Sequence, residues 1–93
     1  MSYTENGGPL RDAARQRTTA VLFPAMMHLD QMEKRDQAQQ WTFMAICDVL
    51  GERHGILPRV EELMSDPNTA HCTYGELVAL ALTEQQHPGG LTT

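Results

Sequence analysis

The chain has 93 residues, 41% of them hydrophobic and 20% charged, which is room for one modest core. Seven glycines, five prolines and two cysteines exclude collagen-like, low-complexity and disulfide-rich classes. The net charge is −5, and no apolar run approaches the ~20 residues of a membrane helix.

The charge is unevenly spread. Residues 1–35 carry Arg11, Arg15, Arg17, Lys34 and Arg35 against Glu5, Asp12, Asp30 and Glu33. Residues 36–93 carry only Arg53 and Arg59 against eight acids, a balance of −6. Nucleic-acid binders need a basic face, because phosphate contacts supply most of their affinity. Only the first helical region could offer one, and the acidic remainder argues against DNA or anionic lipid. Six of the seven basic residues are Arg, a compositional hint of a bacterial source. Cys47 and Cys72 lie in separate segments and read as free thiols of a cytosolic protein. The start lacks the basic region and clean apolar core of a signal peptide, since Pro24 interrupts Ala20 to Met27. The expected location is the cytoplasm.

Along the chain, residues 1–8 end in Gly7-Gly8 and read as a flexible tail. Residues 9–88 read as a single helical domain, and 89–93 as a second tail. Pro9 suits a first helical turn. Leu10, Ala13, Ala14, Arg17 and Val21 then recur at helical spacing. This predicts a first helix over 9–22, stopped by Pro24, because the residue before a proline is pushed out of helical geometry.

A second helix is predicted over 25–54. Leu22, Ala25, Met26, Leu29 and Met32 form an apolar stripe at its start, with Met27 beside it. Residues 33–40, EKRDQAQQ, interrupt that stripe. The run from Trp41 to Leu50 is apolar nearly all round and reads as the centre of the core. An unbroken helix of about 30 residues would reach ~45 Å, so a break near 33–40 or a second chain is required.

Gly51 and Gly55 flank Arg53-His54 and mark a helix C-terminus. Pro58 opens a third predicted helix, 58–66, with Leu57, Val60, Leu63 and Met64 apolar. Asp66-Pro67-Asn68-Thr69 reads as a turn. Thr73 and Glu76 have capping-box spacing just before the apolar run Leu77 to Leu82. The fourth helix, 74–87, ends at Pro88-Gly89-Gly90. Strand readings at Thr18 to Phe23 and at 77–82 fail on Pro24 and on the capping box. The expected fold is an all-α bundle of about four helices, assembled as a dimer.

Constellations that could carry chemistry are sparse. A zinc site from Cys47, His54, His71 and Cys72 lacks any paired-ligand spacing. Cys47 reads instead as a small buried apolar residue, and His71-Cys72 as a surface turn. A thiol switch between Cys47 and Cys72 would need Cys47 out of its apolar block. Glu61 and Glu62 diverge by 100° around a helix, and Asp30 and Glu33 lie in a polar stretch. No phosphate-binding glycine loop interrupts the helices. Helices 58–66 and 74–87 resemble a helix-turn-helix in order only. Their connection is long, and the would-be recognition helix lacks Arg and Lys. No catalytic residue, metal or cofactor is expected.

The Met-rich stripe is the most informative feature, because methionine faces adapt to partner surfaces. Three apolar blocks (22–32, 41–50 and 77–82) ask for more cover than a short chain readily supplies. The sequence therefore predicts a small non-enzymatic regulator acting by protein–protein binding. An anti-activator or adaptor occluding a transcription factor or enzyme would fit, with a homodimer as the expected state. The expected binding residues are Leu22, Met26, Met27, Leu29 and Met32, with Trp41 and Phe43 as aromatic anchors, and the alternative for the 22–32 stripe is packing against the chain's own helices. Two alternatives are a DNA-binding regulator using Arg11, Arg15 and Arg17, and a small-ligand or metal sensor lined by Trp41, His54 and the 71–72 turn.

Overall fold

A computed structural model describes residues 3–86, with side-chain surroundings for 8–85. Every regular element among the described residues is helical. The order is α1 (Tyr3–Arg15), α2 (Thr19–Asp30), α3 (Gln37–His54), α4 (Leu57–Ser65), a 3-10 turn (Pro67–Thr69) and α5 (Tyr74–Gln86). The end tail at 89–93 lies outside the described residues. No described helix is long and apolar enough to cross a membrane.

Among the described residues there are five α-helices against the expected four, and the extra boundary falls at residues 16–18. The first helix begins at Tyr3 rather than Pro9 and stops at Arg15 rather than Leu22. Thr18 is extended (φ −78°, ψ 159°), and its carbonyl accepts from Val21 and Leu22 to open α2. Threonine favours that position because the N-cap residue has non-helical backbone angles. Pro24 then sits inside α2 instead of ending the first helix. Its ring deprives the Ala20 carbonyl of its usual donor. Ala20 and Pro24 are both exposed beside an open concavity, so water can replace that donor.

The expected break in the long second helix is present, at 31–36. Asp36 caps α3 with a reciprocal box: its carboxylate accepts from Gln39 N–H (2.7 Å), and Asp36 N–H donates to Gln39 Oε1 (3.0 Å). Arg35 closes the other side. It donates to the Leu29 carbonyl (2.7 Å), the Asp30 carbonyl (3.4 Å) and Gln40 Oε1 (2.6 Å). Its guanidinium lies 4.8 Å from the Phe43 ring centroid. The last carbonyls of α2 are thereby satisfied, and the chain turns back on itself.

That reversal lets α3 serve as the central post, with α1, α2 and α5 packed on it and α4 on α5. At its end, Gly55 adopts the left-handed conformation (φ 63°) that lets α4 fold back. Each of the three apolar blocks contributes to the core of the single chain, while Met44 and Leu80 stay exposed. Leu22 and Met26 are buried, as are Phe43, Ala45, Ile46, Cys47, Val49 and Leu50, and Leu77, Val78, Ala81 and Leu82. The fold-back brings the blocks against one another, so most of their side chains are covered within the chain. Ion pairs fasten the outside. Arg15 bridges Asp12 (2.9 Å) and Glu52 (3.2 Å), and Arg59 grips both oxygens of Glu84 (2.8 and 3.0 Å).

Candidate functional site

The site begins at the start of α5. Thr73 N–H donates to Glu76 Oε1 (2.9 Å), and Glu76 N–H donates to Thr73 Oγ1 (3.2 Å), so the expected capping box is formed. Asp30, at the end of α2, adds a second cap. Its carboxylate accepts from the Thr73 hydroxyl (2.7 Å) and from Gly75 N–H (3.2 Å). These four hydrogen bonds fix the first residue of α5, Tyr74, over the side of α3.

On α3, Gln40, Met44, Cys47 and Asp48 recur at four-, seven- and eight-residue offsets and so share one face. Together with Arg35, Phe43 and Tyr74 they line a concavity of about 360 Å³. A second hollow of about 200 Å³ adjoins it, lined by Met64, Thr69, Ala70, Cys72, Tyr74 and Leu77. Tyr74 belongs to both and forms the ridge between them. Three large apolar side chains from three helices are exposed along this path: Met44 (36%), Tyr74 (38%) and Met64 (55%). Phe43 and Leu77 are buried beneath it.

Burial raises the Tyr74 hydroxyl above its ordinary value, and Cys47, Asp48 and Glu61 add to the effect. Burial also pushes the Cys47 thiol up to about 12, reinforced by Asp48 and Asp30 and opposed by Arg35. Cys47 therefore stays a thiol at neutral pH and is a poor nucleophile. Arg35 lines the concavity, and its guanidinium is turned onto the Leu29 and Asp30 carbonyls, Gln40 and the Phe43 ring.

The expected binding residues fall in different places. Leu22 and Met26 are in the core, and Met27 and Leu29 pack against it half-buried. Met32 is half-buried in the 31–36 link, and Trp41 is half-buried one turn into α3. Of the seven, only Phe43 lines the groove. Met44, Tyr74 and Met64 lie outside the expected binding residues. The offsets of Gln40, Met44, Cys47 and Asp48 were readable, but the all-apolar run hid which face would lack cover.

The basic residues of α1 face acids: Arg11 lies 3.6 Å from Asp48, and Arg15 is shared between Asp12 and Glu52. The expected sensor pocket is not assembled. Trp41 and His54 sit at opposite ends of α3, ~20 Å apart at 1.5 Å per residue. His54 Nε2 is instead 2.8 Å from Thr19 Oγ1, between α3 and α2. Among the described residues no three His, Cys, Asp or Glu side chains converge on a point that could hold a metal ion. Cys72 Sγ lies 3.8 Å from His71 Nε2 and packs half-buried against the core, and both cysteines are free.

Comparison with known proteins returns no matching family, no matching curated sequence and no matching solved structure.

Proposed function

We propose that this chain is a small non-enzymatic regulatory protein that binds another protein through the Met44–Tyr74–Met64 groove. It would act by covering a surface of a transcription factor or an enzyme. One observation carries this reading: three exposed large apolar side chains, contributed by α3, α5 and α4, line two adjoining hollows. Tyr and Met are enriched at the centres of protein interfaces, where their apolar bodies leave water. The groove is also built on rigid parts, since the double cap on α5 holds Tyr74 in place before any partner arrives.

The test is affinity capture from the source cells with the wild-type chain and with the double variant Met44→Arg/Met64→Arg. Val21→Arg is the control, because Val21 is exposed (53%) on a different hollow, between α1 and α2. A partner held in stoichiometric amount by wild type and Val21→Arg, and lost from the double variant, supports the reading. All three chains must retain the same helix content by circular dichroism. A partner retained equally by the double variant refutes it.

A further inference from the structure

We infer that Cys47 and Cys72 close to a disulfide within the chain, with Tyr74 as the gate between them, and that the bond shuts the groove. The disulfide stands on its own geometry; only its effect on binding rests on the docking reading above. Both cysteines are free. Cys47 is buried in the apolar run of α3, yet it lines the larger hollow, while Cys72 lines the smaller one. Tyr74 lines both, so the thiols border the same ridge from its two sides. Cys47 also acts on the Tyr74 hydroxyl, and Cys72 packs half-buried against the core cluster that includes Cys47. Cys72 stands two residues before Tyr74, so their Cα atoms are at most about 7 Å apart. A disulfide needs Cα atoms roughly 4.4–6.8 Å apart, so the phenol that forms the ridge has to leave first. At 38% exposed it can turn outward by rotation about its own side-chain bonds. Cys72 lies outside the helices, in the link between the 3-10 turn and α5, and can follow.

The order of events follows from exposure. Cys72 is the more open thiol, and His71 Nε2 lies 3.8 Å from its Sγ, placed to accept its proton. The oxidant is a low-molecular-weight disulfide such as oxidised glutathione. The Cys72 thiolate attacks one of its sulfurs, the S–S bond breaks and one small thiolate leaves. With Tyr74 turned out, water reaches the larger hollow, and Cys47 loses the burial that holds its proton. The Cys47 sulfur then attacks Cys72 Sγ, and the second small thiolate leaves. The protein gives up two electrons and the small disulfide gains them, while the protons shed by the cysteines go to the released thiolates. The new bond crosses the ridge, so Tyr74 cannot return. The Thr73–Glu76 box and the Asp30 cap oppose the movement, which keeps the groove open in the reduced chain.

The experiment incubates the full reduced chain with oxidised glutathione and follows the products by intact mass and by non-reducing peptide mapping. Wild type is expected to pass through one glutathione adduct on Cys72 and to end with the Cys47 and Cys72 peptides joined. Tyr74→Ala should make the second step several-fold faster, and Cys47→Ser should stop at the adduct. Urea below the unfolding transition should change the rate little, since turning one side chain exposes little surface. An adduct that persists in wild type, a bond between two chains, or no reaction overturns the proposal. So does a Tyr74→Ala rate equal to that of wild type, or a rate that climbs with urea as steeply as global unfolding. The oxidised chain should also release the partner in the capture experiment above and recover it on reduction. Retention of the partner by the oxidised chain overturns the control of the groove and leaves the disulfide standing. The docking reading is judged separately, by the reduced Met44→Arg/Met64→Arg variant.

Discussion

The carboxylate of Asp30 occupies the space that a side chain at position 75 would need. A Cβ on Gly75 would lie 2.5 Å from Asp30 Cγ, 2.6 Å from its Oδ1 and 2.7 Å from its Cβ. Glycine is required here by close approach, which lets one acid bridge the end of α2 and the start of α5. Gly75→Ala is expected to cost about 1–3 kcal/mol through overpacking. Asp30→Ala should cost about 1–2 kcal/mol through the lost hydrogen bonds. The double variant should lose less than the two separately, because removing the carboxylate relieves part of the clash. Urea denaturation of the four chains checks this; strict additivity would mean that the two residues do not share this space.

Core and groove methionines should separate cleanly. Met26 is fully buried, whereas Met44 is 36% exposed. Met26→Ala should cost about 2–5 kcal/mol by opening a cavity. Met44→Ala should cost less than about 1 kcal/mol. Thermal or urea unfolding decides, and equal losses would place Met44 in the core.

Arg35 depends on its planar fork, since it serves Leu29, Asp30, Gln40 and Phe43 at once. Lysine keeps the charge but cannot reproduce that set. Arg35→Lys is expected to destabilise by about 1 kcal/mol. Hydrogen exchange should quicken most in the 31–36 link and the last turn of α2. Unchanged protection there would show that the link holds without the guanidinium.

Acid should loosen α5 at both ends. The Thr73 N–H bond holds Glu76 below its ordinary value of 4.5, and the Arg59 hydrogen bonds do the same for Glu84. A depressed carboxyl contributes stability above its unfolded value, and this is lost as pH falls through the folded one. The urea midpoint should therefore decline as pH drops from about 5 to about 3. Glu76→Gln, which keeps the acceptor but cannot titrate, should reduce that slope. An identical slope would remove Glu76 from the account. Glu76 is exposed and Glu84 half-buried at the surface, so the effect should be modest and sensitive to salt.

Much of the fold was legible in local chemistry. The Thr73–Glu76 box, the Asp66 turn, the glycine at 55 and the polar break before Trp41 are short-range signals, and each marks a real boundary. The misplaced boundary has an equally local cause. Pro24 is a strong helix breaker in isolation, but an exposed flank lets α2 run through it, and the extended Thr18 supplies the actual start. The groove was harder to read, because its members come from residues 35–48, 64 and 69–77. Their meeting depends on Asp30, in another helix, gripping Thr73 and Gly75.

The sequence by itself determined an all-helical chain whose centre is the apolar run from Trp41 to Leu50. Periodicity and caps act over a few residues, so they can be read without knowing the fold. Only the tertiary structure decided which apolar faces are covered. Folding back at 31–36 buries Leu22 and Met26 and leaves Met44, Tyr74 and Met64 at the surface. A helix that is apolar nearly all round carries no mark of the side its neighbours will leave open. That choice belongs to the packing of α2 and α5 around α3.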